Sequence, residues 1–80
     1  MNNNLTQFER GIKRKALDLI NFNYGFSEPL TMINAIMILS EEQDNRIYGA
    51  ILGRGTGQEF VFVYSSAVNG FEYIRPARAI

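Results

Sequence analysis

The sequence predicts an α+β fold, an N-terminal amphipathic helix packed on an antiparallel β-meander of three to four strands. Three observations carry that expectation. Apolar residues recur at helical spacing from Leu5 to Ile20. From Arg46 onward, runs of β-branched and aromatic residues read as strands. Glycine- and asparagine-bearing turn clusters, GRGTGQ and AVNG, separate those runs, so an antiparallel meander follows.

Asn2 to Asn4 read as a frayed end. Thr6-Gln7-Phe8-Glu9 then fits a capping box, in which the Thr6 hydroxyl accepts from the Glu9 amide while the Glu9 carboxylate reaches back. The helix that starts there carries Leu5, Phe8, Ile12, Ala16 and Leu19 on one stripe, with Ile20 at its edge, and stops at Asn23 to Gly25. Gly11 in its middle costs about 1 kcal/mol relative to alanine and reads either as close packing against another backbone or as mere tolerance. The segment 30–40 is a strand or a second helix. Glu28-Pro29 suits a helix start, while Ile33, Ile36 and Ile38 suit a strand, and Glu41 and Glu42 would sit badly at a helix C-terminus. A strand from Met32 to Glu41, turning through Gln43-Asp44-Asn45, is the preferred reading. RIYGAILG (46–53), EFVFVYS (59–65) and FEYIR (71–75) complete the sheet, and residues 76–80, with Pro76, read as a tail on a single domain spanning 1–80.

Eighty residues bury only about 60 to 65% of the surface the unfolded chain exposes, so the core needs a supplement. With no cysteine there is no disulfide, and with neither cysteine nor histidine a structural zinc site is excluded. No metal or cofactor is expected. An apolar fraction of 46% makes self-association, a homodimer by default, the expected supplement. Lys plus Arg and Asp plus Glu both total 8, so no global field draws the chain to nucleic acid or an anionic membrane. The longest apolar run, Met32 to Leu39, is broken by Asn34 and falls short of the roughly 20 residues that cross a bilayer. No membrane partner is expected, and the location expected is cytoplasmic, in the host cell if the chain is phage-encoded.

The stretch GRGTG, Gly53 to Gly57, poses a choice between a phosphate cradle and a turn. A cradle needs a helix after the loop, so that its N-terminus and several amides converge on the anion. Here a strand follows, and both the Lys-Ser/Thr ending and the third glycine are missing, so a hairpin turn with Arg54 exposed at its tip is expected. Glu41, Glu42 and Asp44 match no EF-hand spacing and read as a charged turn that blunts a sheet edge.

Two surfaces remain as candidates for contact. Phe60, Phe62 and Tyr64 share one face of their strand, Val61 and Val63 the other, and Phe71 with Tyr73 form a similar alternate pair. These aromatics read first as core, then as a sheet-face interface for protein, and last as a base-stacking platform. Both sheet faces are therefore apolar. One helix covers one of them, which leaves the second for another copy, a partner, or the segment 30–40 if helical. The other surface is the basic run ERGIKRK, where Arg10, Lys13 and Arg14 fall opposite the apolar stripe with Leu17 among them and Lys15 at the flank. It is either a solvated helix face or a ridge that, with Arg54, contacts a partner.

Function follows by elimination. Without histidine or cysteine the usual general base and the strongest neutral-pH nucleophile are missing, no carboxylate pair stands out, and an enzyme is not expected. The expected function is a non-catalytic protein-binding module that occupies a surface of a larger protein or complex. In size and style the chain is similar to phage and mobile-element inhibitors of host defences such as anti-CRISPR proteins, a resemblance that rests on no motif. The alternative is a small dimeric nucleic-acid binder using the basic first helix.

Overall fold

The computed structural model describes residues 5–25, 28–55 and 57–78. One helix, α1 (Gln7–Tyr24), is followed by β1 (Ala35–Gln43), β2 (Arg46–Gly53), β3 (Glu59–Ser65) and β4 (Gly70–Pro76). The strands form one antiparallel sheet in the order β1-β2-β3-β4, so the fold is α+β, a helix on a four-stranded meander. The frayed end expected at 1–4 and the last two residues of the expected tail lie outside the described residues.

Both helix ends follow from local chemistry. Thr6 Oγ1 accepts from the Glu9 amide at 3.1 Å, and the Thr6 amide donates to Glu9 Oε1 at 3.0 Å, which satisfies two N-terminal donors that have no helical acceptor. At the other end Gly25 takes the left-handed conformation, φ 58°, and its amide closes the last turn on the Asn21 carbonyl. Asn21 also clamps the returning chain. Its Nδ2 donates to the Leu30 carbonyl at 2.7 Å and its Oδ1 accepts from the Leu30 amide at 2.9 Å. Asn34 then ties the Thr31–Asn34 turn, accepting from the Thr31 amide and hydroxyl and donating to the Pro29 carbonyl. The doubtful segment is thus a clamped turn followed by strand β1, and no second helix forms there.

The turns between strands obey their residues. Asp44 and Asn45, at φ 54° and 64°, make the two-residue connection that matches strand twist. GRGTG connects β2 to β3, with the Gly53 amide donating to the Gln58 carbonyl and Gly55 and Gly57 at φ 70° and 72°. Arg54 is exposed there, as a hairpin turn requires, while Thr56 lies outside the described residues. The tail starts later than expected. Pro76 still pairs with Phe60 and the Ala77 amide donates to the Glu59 carbonyl; a proline is tolerated because β4 is an edge strand.

The core lies between α1 and one face of the sheet. Ile12, Ala16, Leu17 and Ile20 meet Ala35, Met37, Ile47, Ile51, Phe60, Phe62 and Tyr64. Ring contacts of Phe8 with Tyr64 at 6.1 Å and Tyr24 with Phe60 at 5.1 Å run α1 antiparallel along β3. Phe62 is seated over Gly49: a Cβ there would stand 2.7 Å from the Phe62 ring and from the Ile38 carbonyl, so that position has room for hydrogen only.

Two expectations require correction, and one open choice is settled. The helix is rolled relative to the stripe read from sequence: Phe8 and Leu19 are exposed, while Lys13 and Leu17 are buried. The cause is the clamped stretch Leu30–Met32, which lies along that flank of the helix, so that Leu17 meets the core and the Lys13 ammonium donates to the Met32 carbonyl at 3.0 Å. Gly11 is exposed with nothing within 4 Å of a notional Cβ, so tolerance explains it and close packing does not. Finally, Phe71 and Tyr73 do not share a face. Between Val63 and Tyr64 the register slips, Tyr64 pairing with Phe71 and Val63 with Tyr73, which leaves Glu72 as the extra residue of a bulge. Phe71 therefore packs on Phe62 and Tyr64 at 5.5 and 5.2 Å, and Tyr73 turns to the other side.

Candidate functional site

The same register that builds the core defines the face α1 does not cover. Paired across the strands there are Ile36 and Ile38 of β1, Tyr48, Ala50 and Leu52 of β2, Val61 and Val63 of β3, and Tyr73 of β4. Ile38 is 50% exposed, Tyr73 40% and Ile36 39%, whereas Val63 is buried among its neighbours on the sheet. Four strands at about 4.8 Å spacing and seven residues at about 3.3 Å rise give a footprint of roughly 450 Å².

Charges ring this face in both signs. Arg46 and Glu72 form an ion pair that spans β3, and the Arg75 guanidinium stacks on the Tyr73 ring at 4.5 Å from its centroid. The Glu72 carboxylate holds the Arg46 guanidinium above its ordinary pKa, first through the hydrogen bond and then through charge. Register sets Glu41 opposite Tyr48 on this face, and Glu42 opposite Ile47 on the covered one. A bulge at Ser40 of β1 and one at Glu72 of β4 interrupt both edge strands, which discourages strand addition at the edges and leaves the flat face as the larger contact area.

The residues singled out from sequence are distributed differently from the expectation. Phe60, Phe62 and Tyr64 are core under α1 and unavailable as an interface; of that set only Tyr73 reaches the open face. Arg10 and Arg14 are exposed on the helix as expected, but Lys13 and Leu17 are not, so no ridge of three cations around an exposed leucine exists. Instead Arg10, Lys13 and Arg14, with Leu5 and Met32, line one cavity of about 370 Å³. Arg54 enters the same corner: its amide donates to the Asn34 carbonyl, and its charge adds to burial in holding the Lys13 ammonium below the ordinary lysine range.

Sequence reasoning missed Ile36, Ile38, Tyr48 and Leu52 as candidate contacts. Period-two alternation was the signal available for Tyr48 and Leu52, in a stretch that already reads as a strand, and for Ile36 and Ile38 it became usable once β1 was fixed as a strand. Among the described residues no group of three or more His, Cys, Asp or Glu side chains converges as metal ligands would, and no helix is long and apolar enough to cross a membrane. Comparison with protein-family models, with curated proteins and with solved structures finds no match to this chain.

Proposed function

We propose that this protein is a non-catalytic protein-binding module whose open sheet face covers a surface of a larger protein partner. The observation that supports it is the uncovered face itself, an apolar centre of Ile36, Ile38 and Tyr73 within a rim that carries both Arg46 and Arg75 and the carboxylates of Glu41 and Glu72. An apolar centre with a mixed-charge rim suits a protein surface. A nucleic acid would call for a uniformly basic rim, and an anionic membrane would do the same. The chain holds neither histidine nor cysteine, which favours action by occupancy over action by chemistry. Occupancy is also how a phage or mobile-element inhibitor of a host defence acts in the cytoplasm of its host, and we propose that form of the function.

The test is retention of a partner from nuclease-treated host lysate by the tagged protein and two variants. A discrete protein held by the parent and by Arg10→Glu/Arg14→Glu, but lost from Ile36→Lys/Ile38→Lys, is the expected result. Equal retention by the open-face variant overturns the assignment of the face, and material that vanishes on nuclease treatment moves the function to the basic helix. Sedimentation of the purified chain separates a second copy, the homodimer expected from composition, from a foreign partner.

A further inference from the structure

The corner between α1, the Leu30–Asn34 stretch and the β2–β3 hairpin is a second feature, independent of the open face. Lys13 is 3% exposed, an unusual degree of burial for a lysine. Of its three ammonium donors one is satisfied, by the Met32 carbonyl at 3.0 Å, and among the described residues no carboxylate lies within ion-pair distance. The same holds for Arg10, Arg14 and Arg54: the ion pair found among the described residues is Arg46–Glu72, on the open face. Burial and the Arg54 charge both act against the charged ammonium. An unpaired buried cation carries a penalty that a bound anion would remove.

The walls of the cavity are suited to that anion. Leu5 and Met32 supply an apolar lining that strengthens any charge interaction inside, and Arg10, Lys13 and Arg14 supply donors from successive turns of one helix. The backbone beneath is fixed by the Asn21 clamp on Leu30 and the Asn34 bonds to Thr31 and Pro29, so binding has to order side chains and no backbone there. Arg14 and Met32 also line the neighbouring groove with Leu17, Asp18, Asn21 and Leu30, and among the described residues Asp18 makes no ion pair with Arg14.

We infer that Arg10, Lys13 and Arg14 form a binding site for one compact phosphate-class oxyanion, inorganic phosphate or a phosphomonoester. Several acceptor oxygens and two negative charges match one ammonium and neighbouring guanidinium forks better than a single carboxylate does. An extended polyanion is disfavoured because the cations converge on one cavity while the chain as a whole is neutral.

Thermal unfolding and calorimetric titration with inorganic phosphate, at ionic strength held constant with sodium chloride, test the site. The expected result is a saturable rise in Tm with phosphate, and an affinity reduced by about tenfold or more in Arg10→Gln/Arg14→Gln, whose exposed positions leave the fold unchanged. Lys13→Met should lose the phosphate response while melting without phosphate at or above the parent temperature. Glycerol phosphate in place of phosphate separates the two sources: tighter binding assigns an ester, equal or weaker binding the free anion. The inference is overturned if chloride alone reproduces the Tm rise, if Arg10→Gln/Arg14→Gln responds as the parent does, or if a short oligonucleotide binds without competition from phosphate.

Discussion

The two faces of the sheet are built from alternate residues of the same four strands, and their fates differ. On one, Ile51, Phe60 and Phe62 are 0, 3 and 1% exposed beneath α1; on the other, Ile36, Ile38 and Tyr73 stand 39 to 50% exposed. Apolar character does not separate them, since both carry isoleucine and aromatic rings, although the strand valines Val61 and Val63 lie on the open face. The difference is cover. A single helix of 18 residues has one apolar flank, and among the described residues there is no second element to lay on the other side. An apolar face that the chain does not cover invites an external cover, whereas the covered face contributes stability and no contact.

That contrast can be broken or sharpened by substitution. The largest effect is expected at Phe62→Ala on the covered face: about 3 to 5 kcal/mol of destabilisation in chemical denaturation, from lost burial plus the cavity left over Gly49. A loss below about 1 kcal/mol would mean that the helix does not seal that face. Gly49→Ala probes the same contact from beneath. Its new methyl meets a backbone carbonyl as well as the Phe62 ring, so about 1 to 3 kcal/mol should be lost by overpacking, and an unchanged midpoint would show that β1 and β2 separate easily. Smallest is Ile38→Ser on the open face, expected to cost under about 1 kcal/mol in the isolated monomer. A larger loss at high protein concentration, shrinking as the protein is diluted, would identify a second copy as the cover.

Much of this was legible in the residues because it depends on short-range rules. The Thr6–Glu9 capping box, the Gly25 stop, the Asp44-Asn45 turn and the GRGTG hairpin each follow from neighbours a few positions apart. The candidate contacts were less legible, for two physical reasons. Helix roll is fixed by what packs on either flank, and the wheel alone did not include the Leu30–Met32 strap that buries Lys13 and Leu17. One bulge residue, Glu72, inverts the face of everything after it, so Phe71 and Tyr73 diverge where alternation puts them together.

By itself the sequence determined that this is an α+β meander with an N-terminal helix, that its loops are turns and not a phosphate cradle, and that both sheet faces are apolar. Each of these is a matter of periodicity and local backbone preference, which neighbouring residues settle among themselves. Only the tertiary structure decided which face α1 covers, that residues 35–43 form an edge strand and no second cover, and that three helix cations and Arg54 gather at one corner. Those outcomes rest on contacts such as Asn21 with Leu30, Lys13 with Met32 and Arg54 with Asn34, between residues 9 to 20 positions apart in the chain. Their energies exist only once the chain has closed on itself.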